Sequence, residues 1–285
     1  MKQQNVHYFP GHMQKALRIL SGYVKSVDLI VELVDSRAPL ASRNPLLNEL
    51  AGQKARLLLL TKSDSSDPDV TKAWLRYFSK TGVPAIAGNL KKDKFVSLLA
   101  EASTPLVASK REKEKRYGMK KQPIRVMVIG IPNVGKSTLI NNIRGRKVAV
   151  VGNKAGVTRA EQWIKINDDF TLLDTPGILP MNYPTREQAV KLALLGSMRE
   201  DVLPTEDIAE SLFIYIKEEY PLFLRDRFGI EDASKMTSEE AFAAIASRRG
   251  LLEGGDLSLN KAAYLLIKEF KDGLLGNISL EKPEC

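Results

Sequence analysis

The sequence predicts an α/β protein in which a mostly parallel sheet with helices on both faces is followed by a small all-helical C-terminal domain. Short β-branched or Leu-rich runs, each followed by a turn and a helical pattern, recur as VDLIVELVD (27–35), RLLLLTK (56–62), PAIAGN (84–89) and IRVMVIG (124–130). Such alternation builds parallel strands buried on both faces. After Pro180 the pattern changes to helices without strands, with Ile208, Leu212, Tyr215 and Ile216 at helical spacing.

In chain order, helical patterns occupy 12–25, 44–51, 68–81, 93–103 and 136–145, interleaved with those strands. EQWIKIND (161–168) alternates like a half-exposed strand, and TLLDTPG (171–177) reads as one more buried strand ending in a loop. Helices follow at about 185–199, 205–220, 237–248 and 258–272. The division expected is residues 1–180 and 181–285. Between the sheet's halves, SKREKEKRYGMKKQPIR (109–125) carries eight basic and two acidic residues and resembles a solvated connector or charged helix end, with nucleic-acid contact as a second use.

The 285 residues are 44% apolar and 27% charged, which is ordinary globular composition. No window holds eighteen uninterrupted apolar residues, and MKQQNVHYFPGH lacks the apolar core of a signal peptide, so a cytoplasmic location without membrane partners is expected. The single cysteine, Cys285, excludes an intramolecular disulfide and a cysteine-based zinc site. Residues 1–180 carry 30 Lys/Arg against 15 Asp/Glu, and residues 181–285 carry 13 against 19. The basic front half suits either a polyanionic partner or a solubilising surface.

GIPNVGKST (130–138) fits G-x-x-x-x-G-K-[ST] between an apolar strand and a helical pattern. In such a P-loop the glycines let backbone N–H groups of residues such as Asn133, Val134, Gly135 and Thr138 wrap phosphates. Lys136 reaches the outer phosphates and Ser137 ligates Mg2+. Asp174, 38 residues beyond Lys136, stands where a second acidic residue holds the magnesium shell, and Gly177 where a backbone N–H senses the terminal phosphate. Thr158, in the AGVTR loop between them, is either the switch residue completing that shell or an ordinary loop threonine.

TKSD (61–64) reads as a guanine-selecting loop. Asp64 can accept from guanine N1–H and N2–H together, a pair of donors adenine lacks. Lys62 lays its stem along the base, and Ser63 lies between them. Thr61 replaces the usual Asn and offers one hydroxyl in place of an amide. Asn153-Lys154 begins a similar string but continues Ala155-Gly156, with no carboxylate. Gly88-Asn89-Leu90 is either the remaining base-contacting loop or a simple turn.

TKSD precedes the P-loop by about seventy residues, the reverse of the ordinary GTPase order. Cutting a parallel sheet in one loop and joining the old ends preserves the site while permuting the chain, so the prediction becomes a circularly permuted P-loop GTPase domain joined through 109–125.

With YFPGHMQKA (8–16), VELVDSRAPLASRNP (31–45), TKSD, GIPNVGKSTLIN (130–141), AGVTR and DTPGIL (174–179), the sequence resembles the circularly permuted GTPases of the YlqF/YawG group over nearly its whole length. The resemblance implies a GTP-hydrolysing assembly factor for the large (50S) ribosomal subunit. Such a factor binds GTP/GDP and Mg2+ and contacts precursor rRNA and ribosomal proteins; a monomer is the default expectation. Its helical domain contacts the ribosome; with a net −6 there, that role needs a local basic patch, including Arg248 and Arg249, or basic ribosomal proteins as partners. Where Ras-like enzymes carry a water-orienting Gln, this chain has Ile178, and the resemblance points to His12 as the replacement; a helix start or an RNA contact is its other reading. Asn133 resembles the asparagine that helps hold K+ in cation-dependent GTPases, or else it stabilises the loop. A GTP-controlled binding module with negligible catalysis, and an ATPase, are the competing functions.

Overall fold

The computed structural model describes residues 6–7, 21–44, 46–92, 95–144, 162–174, 182–183, 185–198 and 202–284. A six-stranded sheet forms its centre, built from β2 (Leu29–Asp35), β3 (Ala55–Thr61), β4 (Ala85–Ala87), β5 (Ile124–Gly130), β6 (Gln162–Lys165) and β7 (Phe170–Asp174) in the order β4-β3-β2-β5-β7-β6. All neighbours are parallel except β6 and β7. A further two-residue strand, β1 (Val6–His7), pairs antiparallel with β8 (Asn182–Tyr183).

The chain runs outward from β2 to β4, then returns to place β5 on β2's other side, pairing Leu29 with Val126 through Leu33 with Gly130. The first and second parts of the chain meet along this seam. Begun instead at β5, the strands would follow the P-loop-first order.

The apolar strand runs are buried because both faces are covered. Val31, Leu33, Leu57, Val126 and Val128 pack beneath α3 (Phe95–Ser103), α5 (Lys136–Arg144) and α6 (Arg186–Leu194). On the opposite face Ile30, Met127, Ile129 and Leu173 meet Val24, Val27 and α1 (Leu46–Ala51), while Val34, Leu58 and Leu60 meet Trp74 and Phe78 of α2 (Pro68–Lys80). Asp67 caps α2 by accepting from the backbone N–H of Asp69 and Val70, with Pro68 in the first turn.

Two expectations are corrected. Of the two readings of 109–125 the charged helix holds and the free connector does not: α4 (Ala108–Arg116) occupies its first half and is pinned to Asp28, just before β2. The chain after Pro180 is not strand-free, because β8 lies there, as does a hairpin of β9 (Leu252–Glu253) and β10 (Asp256–Leu257). Gly254 and Gly255 form the hairpin turn with φ of 62° and 100°, which two consecutive glycines adopt without steric cost.

Helices α7 (Thr205–Glu219), α8 (Pro221–Phe228), α9 (Ser238–Arg249) and α10 (Leu259–Lys271) enclose a second core around Leu212, Phe213, Ile245 and Leu266. A Thr237–Glu240 capping box starts α9. This core also takes in Ala38 and Ala41 from the loop after β2. The C-terminal residues strap the two cores together. Glu281 accepts from the backbone N–H of Leu40 (2.7 Å) and Ala41 (3.0 Å), its own carbonyl accepts from Trp74 Nε1 (3.1 Å), and the Ser279 hydroxyl accepts from Asp67 N–H.

Glu281→Ala leaves the Leu40 and Ala41 amides without that acceptor, and a loss of about 1–3 kcal/mol in chemical denaturation is expected. An unchanged midpoint and slope would show that the strap carries no stability.

Candidate nucleotide-binding site

Parallel strands end at one edge, and the sequence motifs lie there: β2 ends at Asp35, β3 at Thr61, β4 at Ala87, β5 at Gly130 and β7 at Asp174. That edge, at the switch between β2 and β5 where the chain changes direction, is where open α/β sheets bind ligands.

The P-loop runs from Gly130 into α5, whose first residue is Lys136. Gly130 sits where a Cβ would come 2.7 Å from Val134 Cγ1 and 3.0 Å from the Leu33 carbonyl, so β2 and the loop close over a position open only to glycine. Asn133 and Gly135 adopt φ of 59° and 106°. Consecutive turns of this kind direct backbone N–H groups inward, and a helix N-terminus beside them favours an anion. The cradle therefore fits nucleotide phosphates. Lys136 is buried at its rim, with Ser137 and Thr138 half-buried in the first turn.

The two parts of the chain are joined at Thr61, which is fully buried. Its hydroxyl lies 2.6 Å from the Val134 carbonyl, to which it donates, and 3.0 Å from the Val34 carbonyl. Its own carbonyl accepts from Ser36 N–H at 2.9 Å. The residue that stands in place of the usual Asn thus bonds the TKSD loop directly to the phosphate loop. Leu90 approaches from the third side: a Cβ on Gly135 would lie 3.1 Å from its Cδ1, and Asn142 of α5 donates to its carbonyl at 2.7 Å. Gly88 N–H bonds the Leu60 carbonyl, and the Asn89 side chain accepts from Lys91 N–H, which shapes the turn after β4.

Sequence reasoning missed Asp35. Its carboxylate is buried and accepts from Arg37 through both Nε (2.9 Å) and Nη2 (2.8 Å), while Lys62 Nζ lies 2.8 Å away. Burial opposes ionisation of Asp35, but the two cations overcome it and hold the carboxyl far below the usual carboxylate range. Burial lowers Lys62 from its ordinary value against the pull of Asp35. Lys62 itself has φ of 55°, a left-handed conformation. The ion pair and that turn orient the base loop, at whose end Asp64 is exposed. The available signal was the polar triplet Asp35-Ser36-Arg37 closing a strand that is apolar but for Glu32.

Two residues, Asn133 and Arg37, reach the helical region from this edge. Asn133 Nδ2 donates to the Gly196 carbonyl at 2.5 Å, just beyond α6. Arg37 Cζ lies 5.0 Å from the centre of the Phe270 ring in α10, and its carbonyl accepts from Leu280 N–H at 2.6 Å. Asp174 ends β7 opposite Val128 of the P-loop strand. His12, Thr158, Gly177 and Ile178 lie outside the described residues, as does the Asn153-Lys154 string.

The sequence model of a family described as 50S ribosome-binding GTPase matches residues 125–204. Ribosome biogenesis GTPase A of Bacillus licheniformis is 37% identical over 98% of this chain and 99% of its own length. The protein of that name from Thermotoga maritima is 33% identical over 97% and 94% respectively. The chain belongs to the ribosome biogenesis GTPase A family.

Solved structures of family members agree. GNP-bound YlqF from T. maritima superposes with a TM-score of 0.64 at 28% identity, covering 95% of this chain and 99% of that one. A GDP-bound YlqF gives 0.66 at 29% identity, covering 94% and 100%. Family membership makes this chain a GTPase, and both relatives carry a guanine nucleotide.

Thr61→Val keeps the shape of the buried side chain but removes its bond to Val134. An expected cost of about 1–3 kcal/mol in stability should accompany weaker GDP binding by calorimetry; unaltered GDP affinity would dissociate the two loops. Asp35→Ala strands Arg37 and Lys62, and about 3–5 kcal/mol should be lost. The folded pKa of Asp35 is depressed, so its contribution is present above the unfolded value near ~3.9 and lost as pH falls towards the folded one. The wild-type advantage over Asp35→Ala should therefore shrink below about pH 4 in denaturation measured across pH.

Proposed function

We propose that the chain binds GTP at this edge and hydrolyses it on precursors of the large ribosomal subunit, contacting rRNA and ribosomal proteins, so that hydrolysis licenses maturation or release. The observation that carries the proposal is the Thr61–Val134 bond, which ties the TKSD loop to the GIPNVGKST loop seventy-odd residues away and so supports a single site built from both. The full-length likeness to ribosome biogenesis GTPase A supplies the ribosomal context.

In this reading Asp64 accepts the paired N–H donors of guanine, and Lys62, anchored at its ammonium by Asp35, presents its stem to the base. Ser63, Gly88, Asn89 and Leu90 complete the base pocket. Backbone N–H groups from Asn133 to Thr138 hold phosphate oxygens with Lys136, and Gly177 N–H meets the terminal phosphate. Ser137, Thr158 and Asp174 are the residues that hold Mg2+, which when bound neutralises charge developing on the phosphate oxygens. The Asn133 amide nitrogen is occupied by Gly196, which leaves its oxygen as the atom for a K+ ion. His12 orients the attacking water from the segment that follows β1.

Among the described residues no helix is long and apolar enough to cross a membrane.

Steady-state GTP hydrolysis in potassium buffer, with and without large ribosomal subunits, tests this reading alongside His12→Ala. Stimulation by subunits is expected, and the mutant should lose about 10²-fold or more of it while binding GTP normally. Absence of stimulation by mature and precursor subunits would favour a GTP-controlled docking module, and stimulation unaffected by the mutation would remove His12 from the chemistry.

A further inference from the structure

The join between the permuted halves is built in a way its connecting role does not require. Helix α4 has no apolar stripe, and its one buried residue is Glu114. An all-polar helix gains little from packing, so something else must hold it. Lys110 Nζ donates to Asp28 (2.7 Å) and the Pro123 carbonyl (3.1 Å). Arg111 donates to Glu114 (2.7 Å) and the Gln122 carbonyl (2.8 Å), and Glu114 accepts from Gln122 N–H (3.2 Å). These bonds fix the helix and the strand-entry segment against each other. They also satisfy the carboxylates of Asp28 and Glu114.

What the pinning leaves outside is positive. Lys113, Lys115, Arg116 and Lys120 are exposed and have no ion-pair partner among the described residues. Beside them, Arg125 of β5, Thr171 of β7 and Lys165 of β6 stand in one cross-strand row, and Trp163 lies two residues along β6 on the same face. Among the described residues no helix covers this corner of the sheet: Trp163 is 41% exposed, and Tyr117, at the end of α4, is 71% exposed. A groove of about 560 Å3 runs between helix and strands, with Lys110, Lys113, Met119, Arg125 and Trp163 among its walls.

Of the unpaired cations Lys113 lines this groove with Trp163, and Lys115, Arg116, Tyr117 and Lys120 continue from it along the end of α4 and the turn beyond. Unpaired cations beside exposed aromatic faces are the recognition chemistry of a single nucleic-acid strand: phosphates neutralise the cations, and unstacked bases lie on the rings. Charge alone would suit an acidic protein segment equally well. The two aromatic faces decide between them, since carboxylates gain nothing from stacking. A continuous duplex hides its base faces. We infer that this surface binds a single-stranded stretch of RNA, its phosphates on Lys113, Lys115, Arg116 and Lys120 and its bases on Trp163 and Tyr117. The inference rests on the ribosomal role proposed above and names a face of the protein that touches RNA, away from the nucleotide edge.

The chain has two tryptophans, and Trp74 is 1% exposed with its Nε1 bonded to Glu281, so fluorescence quenching reports on Trp163. Titrating the full-length protein with a short oligouridylate should quench that signal. In the variant Lys113→Gln, Lys115→Gln, Arg116→Gln, Lys120→Gln, affinity should fall about tenfold or more, and the slope of log K against log salt should become shallower by up to about three. Trp163→Ala should weaken binding, read by anisotropy of labelled RNA, by about tenfold, and Trp163→Phe should restore most of it. Unchanged affinity in the four-residue variant, or RNA binding without quenching, would overturn the inference. Equal affinity and quenching with polyglutamate would overturn it in favour of an acidic protein partner. GTP hydrolysis without subunits should be unaltered in the four-residue variant. Loss of subunit stimulation in the wild-type protein would count against the ribosomal role while leaving the oligouridylate result to stand or fall separately.

Discussion

The parallel pairing of β2 with β5 is the constraint on which everything else depends. It is the only strand contact between the part of the chain that carries the base loop and the part that carries the P-loop in the six-stranded sheet. Its register, Leu33 against Gly130, sets the two loops at the same edge and height, which lets Thr61 reach Val134. A slip of one residue would turn every side chain of β5 to the opposite face, exposing Val126 and Val128 to the wrong core. The tight approach of Gly130 to Leu33 and Val134 guards that register from the loop side.

Around the seam the polar groups divide the work by burial. Asp35 is deep, doubly paired and structural, while Asp64, four residues past the base of β3's last apolar run, is exposed at the loop's tip and available to a ligand. A carboxylate fixed as an ion by two cations cannot also serve a base without leaving Arg37 and Lys62 unpaired, so the proposed reading assigns the selectivity to Asp64. The helical region is attached to the same edge at both ends, through Gly196 at the P-loop and through Phe270 and Leu280 at Arg37. Rearrangement of either loop has a direct mechanical route into those helices.

Much of this was legible in the sequence because it is written in short-range signals. Strand runs, the P-loop spacing and TKSD each announce themselves within ten residues, and their order announces the permutation. Asp35 was hidden because a buried ion pair depends on partners brought together by the turn after β2 and by a second strand. The hairpin at Gly254-Gly255 was legible, since two glycines between short apolar-polar pairs are a turn signal, but it falls in the gap between the helical patterns at 237–248 and 258–272, and strands of two residues are too short to show a period. Helix α8 was overlooked because only Tyr220 separates its start at Pro221 from the end of α7 at Glu219. The charged stretch 109–125 shows the limit of composition most plainly: its eight cations look alike in sequence, yet among the described residues Lys110, Arg111, Lys121 and Arg125 are engaged with carboxylates and the other four are not.

The central claim is that two parts of a permuted chain form one guanine-selective site. Calorimetric titration of GDP and ADP into the wild-type protein and into Asp64→Asn tests it most directly. The account predicts GDP binding, little or no ADP binding, and loss of most of that discrimination in Asp64→Asn with the fold intact. Comparable affinity for GDP and ADP in the wild-type protein, or discrimination that survives the substitution, would contradict it.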